Sequence, residues 1–169
     1  GEKKKDTVNK RYTTGGIVSF ITSNVYDASG ILTEKKFSEF TEMGFKYGTK
    51  SSKVLVCSPA VGSVINEFAA SKIQTSSGER TYGLKLNYIQ TFHGRVYLIP
   101  SETFEHDYES WGILLDMKNI WYRPGAGRDT RLFPNIQEND RDGWKDEIRT
   151  KFGMQVELEK THALLKNAA

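Results

Sequence analysis

Arg80 to Asp116 reads RTYGLKLNYIQTFHGRVYLIPSETFEHDYESWGILLD, and the fold class turns on this stretch. Tyr82, Leu84, Leu86 and Tyr88 alternate with Gly83, Lys85 and Asn87, the two-residue period of a half-buried strand. Phe92-His93-Gly94 turns the chain, Arg95 to Ile99 returns, and Pro100-Ser101 stops the run. Trp111 to Leu115 is a third strand. The stretch carries no acid-base pair, metal-ligand cluster or glycine-rich phosphate cradle.

Upstream, the pattern is helical. Thr33 is an N-cap, Glu34 stands in the first turn where a carboxylate suits the helix dipole, and Phe37, Phe40, Gly44 and Tyr47 recur at helical spacing up to Gly48. Lys53 to Cys57 reads as a short, apolar, buried strand. Ser58-Pro59 then opens a second helix with Val61, Val64, Ile65, Phe68 and Ala69 on one face. Thr13 to Ser23 is apolar and undecided between helix and strand, Asn24 to Leu32 reads as a turn-rich connector, and Ser71 to Glu79 as a polar loop. Downstream, Trp144, Asp146, Ile148, Thr150 and Phe152 alternate with charged residues. Past Gly153, Met154, Val156 and Leu158 alternate again, as in one long strand, kinked or paired, with a charged outer face. Helices come early and strands late, so the class is α+β.

A chain of 169 residues fits one domain with a real core, and 37% apolar with 27% charged residues points to a globular class. No apolar run approaches the roughly 20 residues a membrane helix needs. The first eleven residues, GEKKKDTVNKR, hold five Lys/Arg against two acids and supply most of the net charge of +3. Residues 1–12 read as a flexible basic lead-in, without the apolar core of a secretory signal. The chain opens on Gly, so a trimmed or internal piece of a longer protein is expected. A single cysteine, Cys57, excludes an internal disulfide and a cysteine-based zinc site, and its apolar surroundings read as a buried inert thiol.

Candidate chemistry is sparse. His93, His106 and His162 share no metal-binding spacing. His93 is a turn residue, and His162 lies in the terminal strand region without an obvious partner. His106, Asp107 and Glu109 stand together in an acidic loop, where a metal-dependent hydrolase is the alternative to a solvated turn. Glu138, Asp140, Asp142 and Gly143 resemble a calcium loop, but Arg149 occupies the position that must supply a bidentate carboxylate. Arg123 to Arg131, RPGAGRDTR, could cradle phosphate, yet it lacks the Lys-Ser or Lys-Thr of a phosphate loop. Arginines meeting carboxylates of a neighbouring subunit account for it as well. The basic lead-in leaves a nucleic-acid-binding module as a further alternative.

Five segments in order, KRYTTGGIVSFI, KVLVCSPAVGSVINEFAASK, LNYIQTFHGRVYLIPSETF, WGILLDMKNIWYRP and KDEIRTKFGMQVELEKTHALLKN, carry a resemblance that spans Lys10 to Asn167. The chain resembles the C-terminal portion of tailed-phage major capsid proteins of the HK97-like fold, in the group related to phage SU10. The resemblance implies a mixed sheet flanked by helices, an axial domain from about residue 13 to 116. It also implies closing strands of a peripheral domain over about 117–169. The family's long spine helix, extended loop and N-terminal arm have no counterpart here. The implied role is structural: a non-enzymatic head subunit that forms hexamers and pentamers of an icosahedral shell in the virion, made in the bacterial host cytoplasm. No cofactor or metal and no membrane is implied. Scaffold, portal or decoration proteins would be its other partners, and packaged DNA would be met only non-specifically. Gln74, Arg80, Arg123, Arg128 and Arg131 are the expected subunit-contact residues.

Overall fold

The computed structural model describes residues 15–71, 75–81, 84–104, 106–140 and 142–168, with backbone alone given at 69–71, 75–81 and 84–87. The lead-in at 1–12 and Gln74 lie outside these residues.

The described residues form a seven-stranded mixed sheet with two helices, followed by a long two-stranded arm. In chain order these are β1 (Val25–Gly30), α1 (Glu34–Phe45), β2 (Ser52–Cys57), α2 (Pro59–Ser71), β3 (Thr75–Thr81), β4 (Leu84–Gln90), β5 (Arg95–Pro100) and β6 (Gly112–Leu115). There follow β7 (Ile120–Pro124), β8 (Arg131–Phe133), β9 (Glu147–Arg149), β10 (Phe152–Val156) and β11 (Ala163–Ala168). The large sheet runs β1-β11-β6-β2-β5-β4-β3, parallel at β1/β11 and β2/β5 and antiparallel elsewhere. The mixed α+β reading therefore holds.

Both helices begin as their sequences dictate. Thr33 Oγ1 accepts from the Lys36 N–H at 3.4 Å, and Ser58 Oγ accepts from the Val61 N–H at 3.2 Å, with Pro59 in the first turn where no N–H is needed. Phe37, Phe40 and Phe45 of α1 and Val61 and Ile65 of α2 bury one face of the sheet, against Leu55, Cys57, Val96, Leu98, Leu114 and Leu165. The other face carries Ile113, Leu115 and Leu164, covered by Ile17, Val18 and Ile21 before β1 and by Phe104 and Trp111. Ile17–Phe20 forms a short 3₁₀ turn, which settles the segment left open between helix and strand.

Four expectations need correction. Val25–Gly30, read as a connector, is an edge strand, because its backbone finds a partner 138 or more residues away in β11. Local turn residues could not announce that pairing. Thr75 to Glu79, part of the Ser71–Glu79 segment read as loop, belongs to β3 and pairs with β4 despite its polar composition, since ladder bonds depend on the backbone rather than on apolar side chains. In β4 the buried position near the turn is Ile89, opposite Val96, while Tyr88 turns to the far face and meets the Tyr97 ring edge-on at 5.8 Å. Of the alternating set, Tyr88 is the member whose side chain is described, and Ile89 rather than Tyr88 enters the core.

Finally, β11 does not join β9 and β10 in a separate closing sheet but inserts between β1 and β6. Its sequence explains why. Ala163 and Leu165 face the helical side and Leu164 the other, so the strand is apolar on both faces and suits only an interior place.

Gly94 makes the β4–β5 hairpin possible. Its φ is +154°, and a Cβ there would meet the Lys50 carbonyl oxygen and the Phe45 ring, each at 2.6 Å.

The arm occupies residues 120–156. β7 pairs antiparallel with β10 and β8 with β9, so the chain goes out along β7 and β8 and returns along β9 and β10. The join between the two ladders is stitched by Gly125 N–H to Lys151 O (2.8 Å), Lys151 N–H to Arg128 O (3.0 Å) and Arg128 N–H to Gly125 O (2.9 Å). The strand expected from Trp144 to Leu158 is thus two shorter strands, each paired with the outgoing chain.

Candidate functional site

Two features stand out for possible function: a buried polar cluster at the root of the arm and the exposed surface of the arm itself.

The cluster centres on Lys53, the second residue of β2, which is buried on the helical face with Leu55 and Cys57. The strand read as wholly apolar therefore carries an ammonium in the core. Its Nζ donates to Gly44 O at 2.7 Å, Tyr47 O at 2.9 Å and Thr161 O at 2.5 Å. The Gly44 and Tyr47 carbonyls belong to the C-terminal end of α1 and the turn after it, the negative pole of the helix. No basic residue stands in the last turn of α1, so the cation comes from the next strand. Burial pushes the Lys53 ammonium down to about 8, against the pull of the nearby Asp116 charge.

Asp116 directly follows β6, capping the short turn after it, and is buried. It accepts from Thr49 N–H (2.7 Å), Thr49 Oγ1 (3.1 Å) and Lys118 N–H (3.2 Å). Burial alone would raise its carboxyl; the hydrogen bonds from Thr49 and Lys118 and the Lys53 charge outweigh it and hold the group below the usual carboxylate range. His162, fully buried just before β11, accepts the Asp116 N–H on Nδ1 at 3.1 Å, so its ring is neutral with the proton on Nε2. Burial lowers its basicity, with Lys53 acting the same way, while the Glu157 carbonyl and the Asp116 and Glu159 charges oppose. Gly48 packs beside this cluster at φ +80°, where a Cβ would lie 2.6 Å from Asp116 Oδ2.

Lysine, aspartate and histidine together invite a catalytic reading, but the geometry argues otherwise. Lys53 spends its three N–H groups on three carbonyls, the His162 Nδ1 lone pair is taken by the Asp116 N–H, and Asp116 and His162 are buried away from any substrate. A general base needs a free lone pair within reach of a substrate proton. The cluster is a clasp. It ties the end of α1, the start of β2, the end of β6 and the approach to β11 into one unit.

A second clasp holds the strap before β1. Glu159 Oε1 accepts the N–H groups of Thr22 and Ser23, each at 2.5 Å, and its carboxylate also takes both side-chain hydroxyls at 3.0 Å. These bonds bring the Glu159 carboxyl down to about 2. A carboxyl lowered on folding contributes stability that is complete above its unfolded value, near 4.5, and is lost as pH falls through about 2. Glu159→Gln is accordingly expected to destabilise the chain by about 1 kcal/mol at pH 7, since solvent screens this carboxylate, and to flatten its acid unfolding between about pH 5 and 2. Urea titrations at several pH values check both.

Other residues singled out from sequence fall as follows. His106, Asp107 and Glu109 share one exposed turn, His106 with φ +54°, and among the described residues no group of three or more His, Cys, Asp or Glu could hold a metal. Arg149, at the position that defeats the calcium-loop reading, forms a two-pronged bond with Glu147, both contacts at 2.6 Å. Arg123 to Arg131 runs strand-turn-strand, without the helix a phosphate loop requires. Cys57 is buried, and burial pushes its thiol up to about 11. Arg80 lies in β3 opposite Lys85, with its side chain outside the described residues.

Arg123, Arg128 and Arg131 all lie on the arm and are exposed. The arm also displays a set of large apolar residues open to solvent, Trp144, Ile148 and Phe152 of the alternating run among them. Tyr122 and Phe152 are each 56% exposed and stack at 5.3 Å on one face of β7/β10. Trp121 lies on the opposite face beneath the Arg123 guanidinium, which donates to Gln155 Oε1 at 2.6 Å. Further out, Leu132 and Ile148 form a directly opposed pair at 60% and 71% exposure, and Trp144 near the tip is 89% exposed. The alternation from Trp144 to Phe152 had signalled a buried face; instead these side chains look outward.

The fold just described is that of HK97-like shell proteins. The chain is similar to the holo-SrpI encapsulin complex from Synechococcus elongatus PCC 7942, solved by cryo-electron microscopy, with a TM-score of 0.62 at 13% identity over 90% of this chain. The match spans 56% of that chain, a little over half its length. By sequence, the chain belongs to the SU10 major capsid protein family, which it matches over residues 1–169. No curated protein matches it. Among the described residues, no helix is long and apolar enough to cross a membrane.

Proposed function

We propose that this chain is a structural subunit of a tailed-phage or prophage head, assembling through many copies into a closed icosahedral shell of hexamers and pentamers and acting without catalysis. The supporting observation is the arm. A two-stranded ribbon is at best marginally stable in water by itself, yet this one turns Tyr122, Phe152, Leu132, Ile148 and Trp144 to solvent. Such a surface fits an element that is covered once copies come together. Membership of the major capsid protein family points the same way. The buried Lys53, Asp116 and His162 keep the large sheet rigid, which suits a part whose value lies in its shape.

On this reading the large sheet forms the axial body of each subunit, and Arg123, Arg128 and Arg131 belong to subunit contacts, with Gln74 and Arg80 nearer a capsomer axis. The protein resides in the virion after synthesis in the host cytoplasm. Scaffold or portal proteins would meet the assembled shell rather than the single chain. The test is the size of the complete gene product after expression and purification. Megadalton particles in sedimentation velocity are expected; a discrete small oligomer at every concentration and salt would defeat the proposal.

A further inference from the structure

We propose that the arm at residues 120–156 makes a head-to-tail contact with a second copy of this chain, the acidic tip of one arm seated on the basic stem of the next. The inference rests on the shell reading and names the surfaces that would join the copies.

Charge is sorted along the arm. Exposed Arg128, Arg131 and Lys151 sit at the junction of the two ladders, where β7 gives way to β8, against one acid there, Asp129, which accepts from Tyr122 Oη and the Thr130 N–H. At the tip, beyond β8 and before β9, the sequence carries four acids, Glu138, Asp140, Asp142 and Asp146, against two bases, Arg141 and Lys145, so the balance there is acidic. Among the described residues, the ion pair within the arm is Arg149 with Glu147 at 2.6 Å, and neither the Arg128 and Arg131 guanidinium groups nor the Glu138, Asp140 and Asp142 carboxylates have an intrachain partner. The β8/β9 ladder stands between the two groups and keeps them from folding onto each other.

Each arm thus offers one unspent positive site and one unspent negative site at different places. An isologous contact would need one patch that matches itself, whereas two separated and opposite patches suit a heterologous contact, in which each copy gives its tip to one neighbour and takes another's at its stem. Contacts of that kind close into rings when the rotation between copies closes, as hexamers and pentamers require, and run on as filaments when it does not. Between the charged sites lie Leu132 and Ile148, directly opposed and open to solvent. An apolar centre with a charged rim is the composition of a protein interface, with the rim fixing register and partner. Nucleic acid would suit the stem alone and be repelled by the tip, so a second arm satisfies more of the surface.

The experiment uses the complete gene product in three forms: Arg128→Glu with Arg131→Glu, Asp140→Lys with Asp142→Lys, and all four together. Each double variant should cut particle yield by on the order of tenfold or more, because like charges then face each other. The fourfold variant should restore particles, since every contact again joins opposite signs. An independent check leaves the charges untouched. Ala126→Cys combined with Asn139→Cys, oxidised, should give a ladder of covalent multimers on a denaturing gel, while each single cysteine gives dimers at most.

Wild-type particles with silent double swaps, no rescue in the fourfold variant, or no ladder would each overturn this contact while leaving the shell reading intact. Swaps that leave particles whole but change DNA retention would assign the stem to nucleic acid and overturn it too. A wild-type protein that forms no particles at all would instead count against the shell reading itself.

Discussion

Lys53→Met is expected to lower the free energy of unfolding by about 3–5 kcal/mol, the range seen when one partner of a buried charged network is removed. Met fills most of the volume and none of the chemistry. It leaves the carbonyls of Gly44, Tyr47 and Thr161 buried without a donor, and it strips Asp116 of its nearby positive charge. Replacing a buried ion pair with apolar residues is sometimes harmless, but here the acceptors are backbone groups that no substitution removes. With a urea slope of about 2 kcal/mol per molar, the unfolding midpoint should fall by about 2 M.

The pH dependence gives a second signature. Burial holds the Lys53 ammonium down to about 8, below its unfolded value of 10.5, so the folded chain binds fewer protons than the unfolded chain between those limits. Wild-type stability should therefore gain a term that grows as pH rises from about 8 to 10.5, and the Met variant should lack it. A loss below about 1 kcal/mol in urea, with the same pH profile as wild type, would show that the clasp holds nothing.

The second large effect belongs to the arm. Tyr122→Ser with Phe152→Ser should leave the single chain folded, its stability changed by about 1 kcal/mol or less, because both rings are more than half exposed. Particle yield should nevertheless collapse. Aromatic anchors at interfaces commonly contribute about 2 kcal/mol or more each when truncated, and a shell repeats the loss at every copy. Urea unfolding of the unassembled chain and sedimentation of the assembled product separate the two readouts. Normal particles from the double variant would mean that these rings face solvent or DNA in the shell.

The elements that sequence revealed are those whose instructions are local. Thr33 and Ser58-Pro59 cap their helices through atoms three residues away, and Phe92-His93-Gly94 turns a hairpin within its own span. The ordered segments from Lys10 to Asn167 carried the family, and the family carried the fold. What stayed hidden depends on partners distant in the chain. β1 became a strand because β11 lies beside it, and Lys53 became a core residue because α1 and the turn at Thr161 close over it. His162 had no visible partner in sequence because that partner is the backbone of Asp116, 46 residues earlier. Glu159 carried no motif at all, since what it grips is the backbone at Thr22 and Ser23.

The arm misled for a different reason. Alternation of apolar and charged residues marks a face that is covered, whether by the same chain or by another. Trp144, Ile148 and Phe152 carry that mark, and within this chain nothing covers them fully. The pattern was legible; on the proposed function, what covers these residues is another copy.

A cryo-electron microscopy reconstruction of the complete gene product tests the central claim most directly. Closed particles are expected, built from repeated copies of the seven-stranded sheet, with residues 120–156 of each copy lying against its neighbours and Tyr122 and Phe152 covered. Discrete small oligomers in which those side chains remain in solvent, or in which His106, Asp107 and Glu109 converge on a bound ion, would contradict it.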